Sequence, residues 1–324
     1  MPERRSPAAG PVAALDIGGT KIEAGVVDHT GCILSRVRVG TPRFAGTPGD
    51  PHAAEELFEL CVDTVRRAIS AAAPCDPAAA CADHPPRPVA ALGVGCGGPM
   101  SRTGASGELL GVSPLNIPQW RGFPLAERLV DELALPVGLD NDAKALALAE
   151  GAHGAAVGVQ NYLAMVVSTG VGGGIVLDGR LLDGRATNAG HIGHVVVVPD
   201  GRRCACGARG CLEAEVSGSA IEAATGAPAR EAGSGLRRRC GRLVGRAVAS
   251  VCNLLDLDLA VVSGSVAIGY GRPFIDSAQE ELDRLARLEY SSGARIRLGG
   301  LGPDGPLVGA ARVGFAALGA GRPA

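Results

Sequence analysis

Two glycine-rich turns, each caught between apolar strands, constrain this chain more than any other feature. Val12–Ile17 is an apolar run that leads into Gly18-Gly19-Thr20-Lys21, and Ile22–Asp28 is apolar again before His29-Thr30-Gly31 turns the chain into Cys32–Val39. In the middle of the chain, Tyr162–Leu177 has the same form, with Ser168-Thr169-Gly170-Val171-Gly172-Gly173-Gly174 at its turn. Between and after these units, helical patterns alternate with short apolar runs. Ala53–Ala73 carries apolar residues at 57, 58, 61, 65, 68 and 69, a helical stripe. Pro124–Leu133, Ala143–Glu150, Leu236–Leu255, Pro273–Leu288 and Leu307–Leu318 are read as helices. Val89–Gly95, Val137–Leu139, Leu259–Ser263 and Ile296–Leu298 are read as strands. Such alternation predicts α/β layers, and the two similar strand–turn–strand units imply two related halves. Pro74–Pro88 holds five prolines and is expected to be an exposed loop.

Composition removes several classes. With 324 residues, Lys+Arg 31 against Asp+Glu 33 and a net charge of -2, the chain lacks the basic excess of a nucleic-acid binder. An apolar content of 46% argues against disorder. No signal peptide is readable, because Pro7, Pro11 and Asp16 break any early apolar run. Ala155–Leu177 is long enough to span a bilayer, but Gln160-Asn161 and the glycines of its second half mark it as strands and a turn. The expected location is therefore cytoplasmic, and the ten cysteines are read as thiols or metal ligands rather than disulfides. Lysine occurs only at Lys21 and Lys144, both inside the motifs below.

The chemistry concentrates in four places. In the first turn, glycines let backbone N–H groups approach phosphate oxygens; Thr20 can donate to a phosphate and Asp16 can hold a hydrated Mg²⁺. A plain β-turn with glycine at positive φ is the alternative. The second turn offers two hydroxyls and then four glycines within five residues, more than a hairpin needs. Two such turns facing each other would clamp a nucleotide between domains. Asp142, in Asp140-Asn141-Asp142, closes a strand and opens a helix. It is either a helix cap or a general base at the strand end where α/β ligands gather. Finally, His194 with Cys204, Cys206 and Cys211 supplies the four ligands of a closed, structural zinc site. Glu213 lies two residues beyond the last of them, and His191 three before the first; a surface Glu and a loop His are the plainer readings. Trp120 is read as a packing anchor.

Together these motifs resemble the ROK family, the repressor and sugar-kinase family of the actin-like ATPase superfamily. The resemblance runs from Ala14 to about Leu318 and rests on Asp16–Lys21, Asn141-Asp142, Ser168–Gly174, and Ala189–His194 with Cys204–Glu213. It implies a two-domain actin-like ATPase (ribonuclease H-like) fold with an interdomain cleft: a small α/β domain of 1–138 plus about 306–324, and a large one of 139–305. It further implies that Asp16, Gly18, Gly19, Thr20, Lys21, Ser168, Thr169 and Gly170 hold the ATP phosphates, with Val261–Ser265, Gly264 among them, near adenosine. Asp142 would be the base, and Gly98, Asn116, Asn141, Asp142, His191, His194 and Glu213 would bind the sugar. His194 would serve zinc with one ring nitrogen and sugar with the other.

The implied reaction is transfer of the γ-phosphoryl of Mg·ATP to a hexose 6-hydroxyl. Glucose is the first expectation; an aminodeoxyglucose such as kanosamine, or an N-acetylhexosamine, is the alternative, and a non-catalytic sugar sensor the second. A homodimer is the family's implication. The family's repressors carry a winged helix before the first motif, which here starts at Asp16, so neither nucleic acid nor membrane is expected as a partner. Two departures stand out. His191 occupies a position where the family usually has Glu, and Ser263-Gly264-Ser265 replaces a commoner Gly-Gly.

Overall fold

The computed structural model describes residues 10–42, 49–72, 88–103, 109–115 and 117–320. The chain divides into two compact units, residues 1–145 with 306–324, and residues 146–305. The division falls inside a helix, beyond the 138 expected from the sequence. The reason is that the strand ending at Asn141 pairs with the first sheet.

In the first unit, β1 (Val12–Ile17), β2 (Lys21–Val27) and β3 (Ile33–Gly40) form an antiparallel meander. Every residue of β1 is buried, as expected of a strand covered on both faces. The edge strand β3 alternates buried and exposed positions and turns Arg36 and Arg38 outward. Helix α1 (Pro51–Ala71) starts at Asp50, whose side chain accepts from His52 N–H at 3.0 Å, with Pro51 in the first turn. Strand β4 (Leu92–Cys96) joins β1 in parallel. A ribbon of β5 (Met100–Thr103) and β6 (Leu109–Val112), absent from the sequence expectation, follows. Helix α2 (Leu125–Leu133) and β7 (Val137–Asn141) follow, and α3 (Asp142–His153) is the helix in which the division falls. The sheet order is β3-β2-β1-β4-β7. Trp120 is fully buried, stacks on Phe123 at 4.8 Å and donates to Ala54 O at 3.1 Å, the anchor expected of it.

The second unit repeats the plan. Strands β8 (Tyr162–Val167), β9 (Val171–Leu177) and the short β10 (Arg180–Leu181) form the meander. Three short helices, α4 (Leu212–Val216), α5 (Gly218–Thr225) and, later, α7 (Ser265–Tyr270), were not legible in the sequence. Between them run the long α6 (Ser234–Leu255) and β11 (Leu259–Ser263). Helix α8 (Arg272–Leu285) and β12 (Arg295–Leu298) follow. Strand order is β10-β9-β8-β11-β12, the same topology as the first sheet. Leu163, Met165 and Val167 of β8 pack with Val244, Ala247 and Val248 of α6 in one core. The chain then returns to the first unit as α9 (Gly305–Ala320). No helix among the described residues is long and apolar enough to cross a membrane.

Candidate active site and metal-ligand cluster

In the first unit the parallel register sets Asp16 beside Gly95, and Gly95 beside Asp140, at the carboxyl ends of β1, β4 and β7. Gly95 is flanked by two carboxylate residues: a methyl there would lie 3.6 Å from Asp142 Cα and 3.8 Å from Asp16 Oδ1. Asp16 is buried. Burial, then the charge of Asp142, push its pKa up to about 7. Burial raises Asp142 as well. Two carboxyl groups gathered here, each with its proton affinity raised by burial, form the kind of perturbed pair that marks a candidate site.

The capping role weighed for Asp142 falls mainly to its neighbour. Asn141 Oδ1 accepts from Ala143 N–H at 3.0 Å and Lys144 N–H at 3.4 Å. One oxygen of Asp142 also takes Ala143 N–H, at 2.8 Å. Lys144 is buried and pairs with Asp140 at 2.9 Å.

The first turn is closed by Gly18 N–H donating to Lys21 O at 2.9 Å, and by Thr41 Oγ1 donating to Gly18 O at 2.7 Å. Neither Gly18 nor Gly19 takes a positive φ, so the plain-turn reading in its original form does not hold. Thr20 is exposed. Lys21 turns its ammonium to Glu23 at 2.6 Å and stands 3.9 Å from Asp16. The Gly98 carbonyl accepts from Leu115 N–H at 3.3 Å. Asn116 and most of the proline-rich segment lie outside the described residues.

In the second unit four elements meet at the turn after β8. Ser168 N–H donates to Gly170 O at 2.9 Å, closing it. The amino end of α5 holds its carbonyls: Gly218 N–H reaches Ser168 O at 2.7 Å, and Ser219 Oγ reaches Thr169 O at 2.7 Å. Ser168 Oγ lies 2.9 Å from Ser265 Oγ, which joins this turn to the Ser263-Gly264-Ser265 turn. Gly264 has φ +99, and a side chain there would strike the Val167 backbone, so only glycine fits. Glu213 Oε2 accepts from Val171 N–H at 2.9 Å. Sequence reasoning placed Ser265 near adenosine but missed its bond to Ser168, and it missed Ser219 and the Val171 amide, because nothing in their types or spacing signals partners so distant in the chain.

The histidine turn lies against the same strand. Gly193 packs directly on Val171 O. The rings of His191 and His194 are nearly parallel, with centroids 6.1 Å apart. Val195 O accepts from Leu212 N–H at 2.9 Å, tying this turn to the start of α4. His194, Cys204, Cys206 and Cys211 present donor atoms all within 4.8 Å of one another. Cys204 Sγ lies 3.7 Å from His194 Nδ1, and Cys206 Sγ 3.7 Å from Cys211 Sγ. A tetrahedron with zinc–sulfur bonds near 2.3 Å has edges of about 3.8 Å, so donors and spacing fit zinc. With Nδ1 on the cluster, His194 keeps Nε2 for another partner. A cavity of about 390 Å³ opens instead beside Gly158–Asn161 and Arg295, at the amino ends of β8 and β12, and contains none of these residues.

The model of the ROK family matches residues 12–314. The chain belongs to the ROK family. The N-acetylmannosamine kinase of Citrobacter koseri is 35% identical over 273 residues, covering 80% of this chain and 84% of that protein. The N-acetylmannosamine kinase of Yersinia pseudotuberculosis is 33% identical over 294 residues, 85% and 90% of the two chains. Among solved structures, a ROK hexokinase from Thermus thermophilus superposes with a TM-score of 0.74 at 32% identity, over 96% of this chain and 100% of the other. A ROK glucokinase from Streptomyces griseus in complex with glucose and AMPPNP gives 0.74 at 30% identity, over 95% and 100%. The fold is accordingly the actin-like ATPase fold of ROK sugar kinases.

Proposed function

We propose that this ROK-family protein is an ATP-dependent sugar kinase whose preferred acceptor is the 6-hydroxyl of a neutral 2-acetamido hexose of the N-acetylmannosamine type, with glucose as second acceptor. The observation that carries the kinase reading is the pair Asp16 and Asp142 about Gly95, with the glycine turn beside it. Asp142 would accept a hydrogen bond from the sugar hydroxyl and take its proton as the new O–P bond forms and ADP leaves. Phosphoryl transfer otherwise requires positioning and charge neutralisation. Asp16 would hold the hydrated Mg²⁺ that comes with ATP and offsets phosphate charge. The second turn, Ser168–Gly170, would hold phosphate oxygens with its hydroxyls and amides, and Gly264 would pass near adenosine.

His191 supports the choice of acceptor. A carboxylate here would repel an acetamido carbonyl, whereas an imidazole N–H can donate to it. The N-acetylmannosamine kinases at 33–35% identity support the same choice; likeness to the glucokinase keeps glucose second. Zinc would be held by His194 Nδ1, Cys204, Cys206 and Cys211, a closed structural set that fixes the His194 ring for the sugar. The purified protein should contain about one zinc per chain, and Cys206→Ser should lower Tm and sugar affinity together.

ADP release with N-acetylmannosamine, N-acetylglucosamine, glucose and glucosamine tests the reading. The highest kcat/KM is expected with N-acetylmannosamine. His191→Glu should shift the ratio of N-acetylmannosamine to glucose towards glucose by roughly 5- to 150-fold, the worth of one mispaired buried polar group. An unchanged ratio removes His191 from the site, and no ADP release with any sugar leaves a sensor without catalysis.

A further inference from the structure

Glu213 was expected to be a sugar ligand, but its side chain is aimed at the phosphate turn as well. Oε2 accepts from Val171 N–H, the first amide of β9 after the turn, at 2.9 Å. A methyl at Gly170 would lie 2.9 Å from the same oxygen. A side chain at Gly170 would therefore press on Glu213 and disturb its bond to the Val171 amide. The carbonyl side of this turn is held by Gly218 and Ser219 at the start of α5. Its amide side is held by Glu213, and α4, which carries Glu213, begins directly after Cys211.

We propose that Glu213 is a positioning residue for the triphosphate, acting through the Val171 amide. It would serve the two substrates with different oxygens: Oε2 fixes the phosphate turn, and Oε1 is left to accept from a sugar hydroxyl. Sugar binding at Oε1 then stiffens the side chain that holds the turn, and the two substrates bind with positive coupling. This rests on the kinase reading above.

The test is the Kd of Mg·AMPPNP measured calorimetrically with no sugar present, in the zinc-loaded wild type and in Glu213→Ala, Glu213→Asp and Glu213→Gln. A residue that touched only sugar would leave this number alone. Glu213→Ala removes a hydrogen bond to a carboxylate, and Glu213→Asp withdraws it by one methylene; each should weaken nucleotide binding by about tenfold. Glu213→Gln retains an oxygen for Val171 N–H and should bind nucleotide within about twofold of wild type, while losing most of the tightening that added N-acetylmannosamine produces. Zinc content and Tm establish that each variant is folded; if Glu213→Ala is not, Glu213→Asp decides. Wild-type nucleotide affinity in folded Glu213→Asp would overturn the proposal and leave the kinase reading standing. Failure of the wild type to bind Mg·AMPPNP would overturn both.

Discussion

The two glycine turns hold equivalent places in sheets of one topology, yet they are built from opposite materials. Around the first, charge dominates. Asp16 and Glu23 are both buried; Glu23 takes Lys21 at 2.6 Å, Arg38 at 3.1 Å and Arg36 at 3.2 Å. These cations hold its carboxyl below the usual range, against the opposing pull of burial. Around the second turn the contacts are hydroxyls and backbone amides, with Glu213 as the one carboxylate described there. A buried charge is strongly sensitive to its counter-charges and to pH; a net of neutral hydrogen bonds is sensitive to small displacements instead. The repeated architecture thus supplies one turn tuned by electrostatics and one tuned by position.

The largest expected effect lies on the charged side. Asp142→Asn should keep the fold and ATP affinity and lower kcat by roughly 10²- to 10⁴-fold, the usual worth of a general base. Steady-state kinetics beside a nucleotide titration measures this, and near-normal turnover would reduce Asp142 to its bond with Ala143.

Next in size is pH dependence. Asp16 releases its proton near 3.8 when unfolded and at about 7 when folded. The unfolded chain therefore loses that proton first as pH rises. Stability of the nucleotide-free protein should fall between about pH 4 and pH 7, by up to a few kcal/mol. Asp16→Asn should flatten that slope in denaturant titrations. Glu23, shifted the other way, acts only at the acidic end, so the two are separable. An unchanged slope in Asp16→Asn would place the turn's pH sensitivity elsewhere.

The smallest effect is expected on the neutral side. Ser265→Ala removes the Ser168–Ser265 bond between partly exposed hydroxyls, and should raise KM for ATP about threefold with kcat and pH profile unchanged. A changed pH profile would break the contrast between the turns.

The long helices were legible because each runs through several turns of the apolar repeat, and β11 because it is an unbroken apolar run closed by Gly264. Leu259–Ser263 has the expected bounds, and α1, α6 and α9 each begin within about two residues of their expected starts. Helices α4, α5 and α7 were missed because five to eight residues are too few to display a period. The loss matters, since α4 carries Glu213 and α5 carries Ser219. The residue types of the site were readable from motifs, whereas the partners that orient them were not. Lys21 sits in the phosphate motif, yet Glu23 draws its ammonium; a side chain at Gly170 would meet the Glu213 carboxylate, which comes from helix α4.

Helix α9 has a consequence for how the chain is made. It packs on the first sheet so closely that Gly93 meets the backbone of Ala310 and Gly314, and Gly138 meets Val313. Leu307, Ala310 and Ala311 close the core over Val12, Ala14 and Val27. On the ribosome, residues 146–305 emerge as one uninterrupted stretch and can complete their own core. The strands of the first unit emerge earlier, but Val12 and Ala14 stay uncovered until α9 is synthesised. The unit that is begun first is finished last, and its open face waits for the final helix to cover it.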